Sequence, residues 1–290
     1  MALDSPWRLL APLTRLRVEP VIRRLATLPR AAAARAGEPL IEEERTLTSR
    51  AGYRLAARLV RRVDGATDPA LVVSPAIDQG IAGLAALAWP VSAHELARAG
   101  YQVLLHDPAG RGGSWGEEDF GGPEHADDVR VAVAAARELG PWVGVLGLSL
   151  GLSAAAAAVA HPDVDVRFLL DWEGPCDREI ITAGGARLAP AAGHALDDDA
   201  YWSPREAVRH LGAARCAYIR LQAVPDHAQP DEVRHAFRAV RAALGGSARF
   251  VQLNDHPRGV LPDRPAWLRP GMPAANAAIL GKLRELRVER

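Results

Sequence analysis

Short apolar runs alternate with amphipathic segments along most of the chain, and this alternation predicts the secondary structure. Continuous apolar runs are typical of strands buried on both faces, whereas apolar residues three and four positions apart are typical of helices. The apolar runs lie at residues 70–74, 101–106, 142–147, 166–171, 216–222 and 248–253. The amphipathic segments lie at residues 82–99, 124–139, 204–212, 231–244 and 273–287, with one more directly after residue 149. Such alternation predicts an α/β fold, a mostly parallel twisted sheet with helices on both faces.

Two further strand-like runs precede the alternating part. Residues 42–49 and 53–63 have strand-like patterns and are joined by Arg50-Ala51-Gly52, which is a hairpin signal. We therefore expect the sheet to begin with an antiparallel pair at one edge.

Two stretches depart from the regular pattern. Residues 1–38 combine arginines and leucines at helical spacing with interrupting prolines, which predicts two short amphipathic helices. Such an extension packs on its own domain or on a partner subunit, and contact with a membrane surface is the alternative. Residues 172–203 lack a period and are predicted to form a short cap or lid after the sixth strand. The predicted organisation is an N-terminal extension, residues 1–38, and one domain, residues 39–290, that carries the cap.

The charge balance argues against a polyanionic partner. The 290 residues include 35 Lys or Arg and 35 Asp or Glu, so the formal net charge at pH 7 is zero. No overall field therefore attracts nucleic acid or an anionic membrane surface. A small molecule is the expected partner, and the sequence leaves the formation of a homo-oligomer open.

The two cysteines and the first residues indicate a cytoplasmic protein. Cys176 follows one predicted strand and Cys216 begins the next, which places them roughly 20 Å apart, too far for a disulfide. Free thiols fit a reducing compartment. The start of the chain lacks the basic and apolar regions of a signal peptide, and no apolar run is long enough for a membrane span. We therefore expect no stable membrane anchor.

Residues 147–151 carry the strongest chemical signal. Gly147-Leu148-Ser149-Leu150-Gly151 stands between a predicted strand and a predicted helix, which is the context of a nucleophile elbow. In such a turn the serine hydroxyl points out of the sheet, and the residues two before and two after it lie too close to backbone for a side chain. The alternative is that Ser149 only caps the helix. The placement between strand and helix favours a nucleophile.

A serine nucleophile needs a base and a carboxylate that orients the base. In open α/β sheets, reactive groups lie past the carboxyl ends of the strands. Asp226 and His256 follow the last two predicted strands, so Ser149, Asp226 and His256 occur in the chain order typical of such triads. His227 is the nearest alternative base, and Asp171 is the alternative acid.

Acyl transfer also needs N–H donors for the oxyanion of the tetrahedral intermediate. One predicted donor is the backbone N–H of Leu150, the residue after the nucleophile. The other predicted donor is Ala76, in the loop after residues 70–74, with Ile77 as second choice because Pro75 has no N–H.

Apolar side chains on predicted loops at the same end of the sheet are candidates for substrate contact. They either pack in the core and cap or line an apolar pocket for the acyl or leaving group. The candidates are Ile77, Trp115, Trp172, Tyr201 and Trp202.

The chain resembles the α/β-hydrolases over about residues 40–290. Besides residues 147–151, the segment His106-Asp107-Pro108-Ala109-Gly110-Arg111-Gly112-Gly113-Ser114 is similar to the D-x-R-G-x-G-x-S loop after the fourth strand of that family. Glu124-His125-Ala126-Asp127-Asp128-Val129 is similar to the serine esterase and acyl-peptidase-like branch. The resemblance implies hydrolysis of an ester, thioester or amide through an acyl-enzyme, without a cofactor.

Other kinds of binding site are not indicated by the sequence. Residues 110–116 do not match the G-x-G-x-x-G pattern of dinucleotide sites, and neither a Walker pattern nor metal-spaced Cys and His residues occur. We therefore predict a carboxylic ester hydrolase with no cofactor and no metal. An acyltransferase on the same fold and a non-catalytic binding protein are the alternatives.

Overall fold

An eight-stranded sheet organises the part of the chain that the computed structural model describes, residues 39–77, 79–86, 89–183, 193–258, 264 and 266–288. The predicted N-terminal extension, residues 1–38, lies outside the described residues, as do residues 184–192 of the predicted cap. The strands are β1 Leu40–Thr48, β2 Arg54–Arg62, β3 Ala70–Ser74, β4 Gln102–His106, β5 Val143–Leu148, β6 Phe168–Trp172, β7 Ala217–Leu221 and β8 Phe250–Leu253.

The strand order across the sheet is β1-β2-β4-β3-β5-β6-β7-β8. β1 and β2 form the predicted antiparallel hairpin, and β2 is also antiparallel to β4. Every other neighbouring pair is parallel. The carboxyl ends of β3 to β8 therefore meet at one rim of the sheet, where a functional site is expected.

Helices connect the parallel strands. They are α1 Ile81–Ala86, α2 Ala93–Arg98, α3 Pro123–Ala136, α4 Gly151–Ala160, α5 Arg178–Ala183, α6 Asp199–Trp202, α7 Ala207–Leu211, α8 Glu232–Leu244 and α9 Met272–Val288, with a 3₁₀ turn at Ser203–Arg205. α5, α6 and the 3₁₀ turn are the regular elements described within the predicted cap and at its end.

The sheet separates two apolar cores. Along β3 the side chains alternate between them, with Ala70 and Val72 in one core and Leu71 and Val73 in the other. Residues of α3, α4, α7 and α8 fill the first core, and residues of α1, α2 and α9 fill the second. The predicted arrangement, helices on both faces of a mostly parallel sheet, is confirmed.

The predicted helix over residues 82–99 is two helices in the structure, and the reason lies in the residues between them. Pro90 lacks a backbone N–H and disfavours helical torsions in the residue before it. Ser92 then begins α2 with a capping box, because its hydroxyl accepts from the N–H of Glu95 and the Glu95 carboxylate accepts from the N–H of Ser92.

β1 is rich in charged side chains and pairs them with its neighbour. Glu42 ion-pairs with Arg58 at 3.4 Å, and Glu43 with Arg61 at 3.3 Å. Arg58 also pairs with Glu44. Cross-strand pairs of opposite charge support the β1–β2 register.

Both cysteines are free thiols, as the sequence predicts, and both are buried. Burial raises the pKa of both thiols, so each favours the neutral form. Among the helices of the described ranges, none has the length and apolar character required to cross a bilayer.

Candidate active site

Ser149 occupies a strained turn between β5 and α4. Its φ is +50°, a left-handed value that a non-glycine residue adopts at a cost, often at functional sites. Gly151 is required two residues later, because a Cβ there would lie 2.2 Å from the carbonyl oxygen of Ser74. At Gly147 a Cβ would lie 3.3 Å from the Cα of Leu152, a tight contact. The turn therefore has the backbone geometry that residues 147–151 predict.

The hydroxyl of Ser149 lies 3.0 Å from Nε2 of His227, which is within hydrogen-bond distance. His227 is in the loop that follows β7. Its ring stacks on Trp172, with centroids 4.3 Å apart, and meets the edge of Trp89 at 5.5 Å. These indole contacts fix the plane of the imidazole against the end of β6.

Two carboxylates face the other ring nitrogen of His227. Nδ1 lies 2.6 Å from Oε2 of Glu173 and 3.2 Å from Oδ1 of Asp226. Glu173 directly follows β6 and is held in place because it also accepts from the backbone N–H groups of Ala223, at 2.9 Å, and His227, at 3.1 Å. All three polar side chains of this cluster are buried.

These contacts determine where the protons lie. Carboxylates only accept, so Nδ1 of His227 carries the proton, and in the neutral ring Nε2 presents its lone pair to Ser149. Burial opposes the charged imidazolium, but hydrogen bonds to Asp226 and Glu173 outweigh it and raise the pKa of His227 to about 9. Burial alone would raise the pKa of Asp226. The interactions of this carboxyl with His227 and His235 outweigh burial and hold its pKa well below the usual range.

Comparisons with known proteins identify the fold. No protein-family model and no curated protein matches the chain. An esterase of Pyrococcus furiosus superimposes with a TM-score of 0.56 at 14% identity, over 78% of this chain and 84% of the esterase. Dipeptidyl peptidase 4 of Porphyromonas gingivalis superimposes with a TM-score of 0.66 at 15% identity, over 89% of this chain and 37% of the peptidase. A puromycin-hydrolyzing peptidase of Mycobacterium tuberculosis superimposes with a TM-score of 0.61 at 16% identity, over 84% of this chain and 38% of the peptidase.

The chain has the α/β-hydrolase fold. The identities are low, so the likeness concerns the arrangement of strands and helices. Residues 39–290, for which the sequence predicts this fold, contain the whole of the eight-stranded sheet.

Within this fold, the histidine that contacts Ser149 is not the base predicted from the sequence. The hydrogen bond to Ser149 that the sequence assigns to His256 is made by His227. β8 stands three strand positions from β5, roughly 14 Å across the sheet, and β7 only two. After β8 the chain turns back at once, since the N–H of His256 donates to the carbonyl of Leu253 at 3.0 Å. Nε2 of His256 accepts from the N–H of Ala266 at 3.4 Å.

The predicted acids are also placed differently from the expectation. Asp226 contacts the ring of His227 instead of His256 and shares that ring with Glu173. Asp171, the alternative acid, is fully buried and bound to Arg220 at 2.6 Å. Sequence reasoning missed Glu173, although the rule that reactive groups follow the strand ends applies to it directly.

The predicted oxyanion donors, Leu150 and Ala76, belong to the elbow and to the loop after β3, and these two segments contact each other. The hydroxyl of Ser74 donates to the carbonyl of Gly151 at 2.8 Å and so ties this loop to the start of α4. The N–H of Ala76 is 3.4 Å from Oε1 of Gln79, a long contact that leaves the donor weakly engaged. Leu150 is the N-cap residue of α4, at the end of a helix where backbone N–H groups have no acceptor within the helix.

An apolar cluster lies on the cap side of the elbow. Leu150 packs there with residues of the loop after β3, the loop before α3, and the cap. Its members are Leu150, Ile181 and Trp202, with Ile77, Phe120 and Tyr201 partly buried against them. Three predicted substrate contacts, Ile77, Tyr201 and Trp202, thus lie beside the residue that follows the nucleophile.

Two other predicted substrate contacts lie elsewhere. Trp172 is fully buried and packs against the imidazole of His227, so it supports that ring. Trp115 is 65% exposed, and its backbone N–H donates to the carbonyl of Arg54 at the start of β2.

Glu173, Asp226 and His227 also form the group that could hold a metal ion among the residues the structure describes. One ligand atom from each lies within 4.8 Å of the others. Nδ1 of His227 is already within hydrogen-bond distance of both carboxylates, so a cation would have to replace the shared proton. As it stands, the arrangement is suited to proton transfer.

Proposed function

We propose that the protein is a serine hydrolase that cleaves carboxylic esters through an acyl-enzyme. In this proposal Ser149 is the nucleophile, His227 is the general base and Glu173 is the carboxylate that orients it. The observation that carries the proposal is the unbroken line of contacts from Ser149 Oγ to His227 Nε2, 3.0 Å, and from His227 Nδ1 to Glu173 Oε2, 2.6 Å.

The proposed chemistry proceeds in two halves. Oγ of Ser149 attacks the ester carbonyl carbon while its proton passes to Nε2 of His227, and N–H groups of Leu150 and Ala76 stabilise the oxyanion. The intermediate then expels the alcohol, which takes the proton from His227. Water loses a proton to His227 and attacks the acyl-enzyme, and collapse of the second intermediate returns that proton to Ser149 and releases the carboxylic acid.

The surroundings of the site support an uncharged, apolar acyl group as substrate. The side chains next to Leu150 are aliphatic and aromatic. The guanidinium groups nearby are neutralised, because Arg111 binds Glu118 through two nitrogens at 2.6 and 2.8 Å and Arg205 binds Asp119. Among the similar solved structures are an esterase and two peptidases. We favour an ester because an alkoxide leaves the tetrahedral intermediate more readily than an amide anion does.

A fluorophosphonate probe together with p-nitrophenyl esters of increasing chain length tests the proposal. We expect the probe to label Ser149, and Ser149→Ala to lose labelling and to lower kcat by on the order of 10⁴ or more. Ser153→Ala is the matched control, since Ser153 lies one turn further along α4 and its buried hydroxyl has no hydrogen-bond partner among the described residues. Ordinary ester turnover by folded Ser149→Ala would refute the proposal.

A further inference from the structure

A buried polar network continues from the proposed triad into the protein. Its members are Asp226, Gln222, His235, Arg220 and Asp171. Oδ2 of Asp226 accepts from Nε2 of Gln222 at 2.8 Å and lies 3.3 Å from Nε2 of His235, off the line of a good hydrogen bond. Nδ1 of His235 lies 3.0 Å from Nη2 of Arg220. Arg220, at the far end, is bound to Asp171 at 2.6 Å. The network therefore links β6, β7, the loop after β7 and α8.

The direction of each contact follows from the donors available. A guanidinium only donates, so Nδ1 of His235 is an acceptor and its proton is on Nε2, facing Asp226. Burial lowers the pKa of His235 despite the neighbouring carboxylate, which keeps this ring neutral. Gln222 accepts from Arg220 with its oxygen at 2.6 Å and donates to Asp226 with its nitrogen. Oδ2 of Asp226 thus accepts one hydrogen bond, from Gln222, and faces the N–H of His235, and both of these side chains contact Arg220.

The charges of the polar network balance at the end formed by Arg220 and Asp171, but not at the end formed by Asp226 and Glu173. Arg220 neutralises Asp171, whose Oδ2 also accepts from the hydroxyl of Tyr218 at 2.6 Å. Among the residues the structure describes, no arginine or lysine pairs with Asp226 or Glu173, and both carboxylates face Nδ1 of His227. The groups around His227 are Ser149 from the turn after β5, Glu173 directly after β6, Asp226 from the loop after β7, and the uncharged rings of Trp89 and Trp172.

We propose that Asp226 is a second positioning carboxylate for His227. Asp226 shares the Nδ1 proton with Glu173, accepts a hydrogen bond from Gln222 and faces the N–H of His235. The proposal rests on the proposed function of Ser149 and His227. Asp226 then adds a second negative charge beside the imidazolium, which stabilises the protonated ring during the reaction and shifts the neutral, active ring to higher pH.

A merely structural role for Asp226 is the alternative. Its Oδ1 also accepts from the backbone N–H groups of Ala228, at 2.9 Å, and Gln229, at 3.0 Å, which shapes the loop after β7. Asparagine retains a carbonyl oxygen for these two bonds and removes the charge, at the expense of the hydrogen bond that Oδ2 accepts from Gln222. Asp226→Asn therefore separates the two roles, because shaping a loop needs only the acceptor.

The experiment measures the rate constant of fluorophosphonate labelling from pH 5 to pH 10. Labelling needs neutral His227, so its rate rises with pH through the pKa of that ring. Removing a negative charge beside a cation lowers its pKa, so we expect the midpoint of Asp226→Asn to fall by about one pH unit or more. Asp255→Asn, a charge removal at an exposed position after β8, is the control and should keep the wild-type midpoint. An unchanged midpoint in folded Asp226→Asn would overturn the proposal.

A second variant tests the same idea with Asp226 left in place. If Asp226 shares the Nδ1 proton, Glu173→Gln keeps an oriented base and labels at least about tenfold faster than His227→Gln. Equal rates for these two variants would count against the shared proton.

NMR titration of the His227 ring in wild type and Asp226→Asn needs no catalysis. If the pKa of His227 does not differ between the two proteins, the role of Asp226 is contradicted even if labelling fails. Absent labelling of the wild type with a shifted His227 titration would instead refute the proposed function.

Discussion

Ser149 and His227 illustrate how single residues at the rim depend on their surroundings. The left-handed torsion of Ser149 costs about 1–3 kcal/mol, and the β5–α4 turn maintains it. His227 has no such strain to bear, but its ring is fixed on three sides by Trp172, Glu173 and Asp226. An imidazole held so closely loses little freedom when it accepts the proton, which favours it as the base.

Two histidines follow the last two strands, and their substitution distinguishes the base. We expect His227→Gln to lower ester hydrolysis by on the order of 10³ or more, because the hydroxyl of Ser149 then has no group to take its proton. His256→Gln should keep activity within about twofold, since the hydrogen bond of the His256 ring among the described residues is a long one, accepted from the backbone N–H of Ala266 at 3.4 Å. Steady-state kinetics on a short-chain ester measures both. The reverse pattern would restore His256 as the base.

At the scale of elements, the β5–α4 turn depends on close backbone approach. Gly151 lies against the carbonyl oxygens of Ser74 and Pro75, which bring the loop after β3 to the start of α4. The same contact places Ala76 beside the elbow. A glycine here is therefore a packing requirement that also positions a proposed oxyanion donor.

Two glycine substitutions test this requirement. In Gly151→Ala the added methyl group would lie 2.2 Å from a backbone oxygen that cannot easily move. We expect a loss of stability on the order of 1–3 kcal/mol and strongly reduced labelling of Ser149. Gly281→Ala, within α9, is the matched control because nothing lies within 4 Å of the added Cβ. That variant should gain roughly 0.5–1 kcal/mol, since alanine favours helix. Urea denaturation measures both, and an unchanged stability of Gly151→Ala would contradict the packing argument.

The sequence predicts these elements well where a local rule decides them. Residues 70–74 form a buried strand as expected, and the strand–turn–helix at residues 147–151 follows from glycine spacing. Pro90 could have divided the predicted helix over residues 82–99, because proline interrupts a helix wherever it occurs in the interior.

The positions of the proposed base and acid required information that local patterns do not contain. Periodicity places His227 and His256 after neighbouring strands, but it does not tell which loop bends toward Ser149. That depends on strand order and on the tight turn after Leu253. Glu173 was missed for a related reason, since its contact with His227 joins residues far apart in the chain.

For the whole molecule, Asp128 is a junction between distant parts. Its carboxyl, at 0% exposure on α3, accepts from the hydroxyl of Tyr53 at 2.6 Å and from the N–H of Ala109 at 2.8 Å. The β1–β2 hairpin, the loop after β4 and α3 are thus joined at one side chain. Burial raises the pKa of this carboxyl to about 6, against an ordinary value of 3.8.

This raised pKa predicts how stability varies with pH. The folded state favours protonated Asp128, so its contribution is fully present below pH 3.8 and is lost as pH rises through about 6. Asp128→Asn cannot ionise and keeps both contacts, since its amide can donate to Tyr53 and its oxygen can accept from Ala109. As the pH rises from 4 to 7, we expect the free energy of unfolding of Asp128→Asn to increase by about 1–3 kcal/mol relative to that of the wild type. Parallel urea denaturations measure the difference, and a constant gap would contradict the prediction.

The charged residues of β1 have a consequence beyond this molecule. β1 ends the strand order, and Glu42, Glu43 and Glu44 stand consecutively along it. If the β1 strands of two copies paired antiparallel and centred on Glu43, glutamate would lie opposite glutamate in the new strand pair. Like charges directly opposite each other are unfavourable. The arginines of β2 that offset this charge within one chain are already engaged. The acidic run therefore opposes growth of the sheet into a fibre.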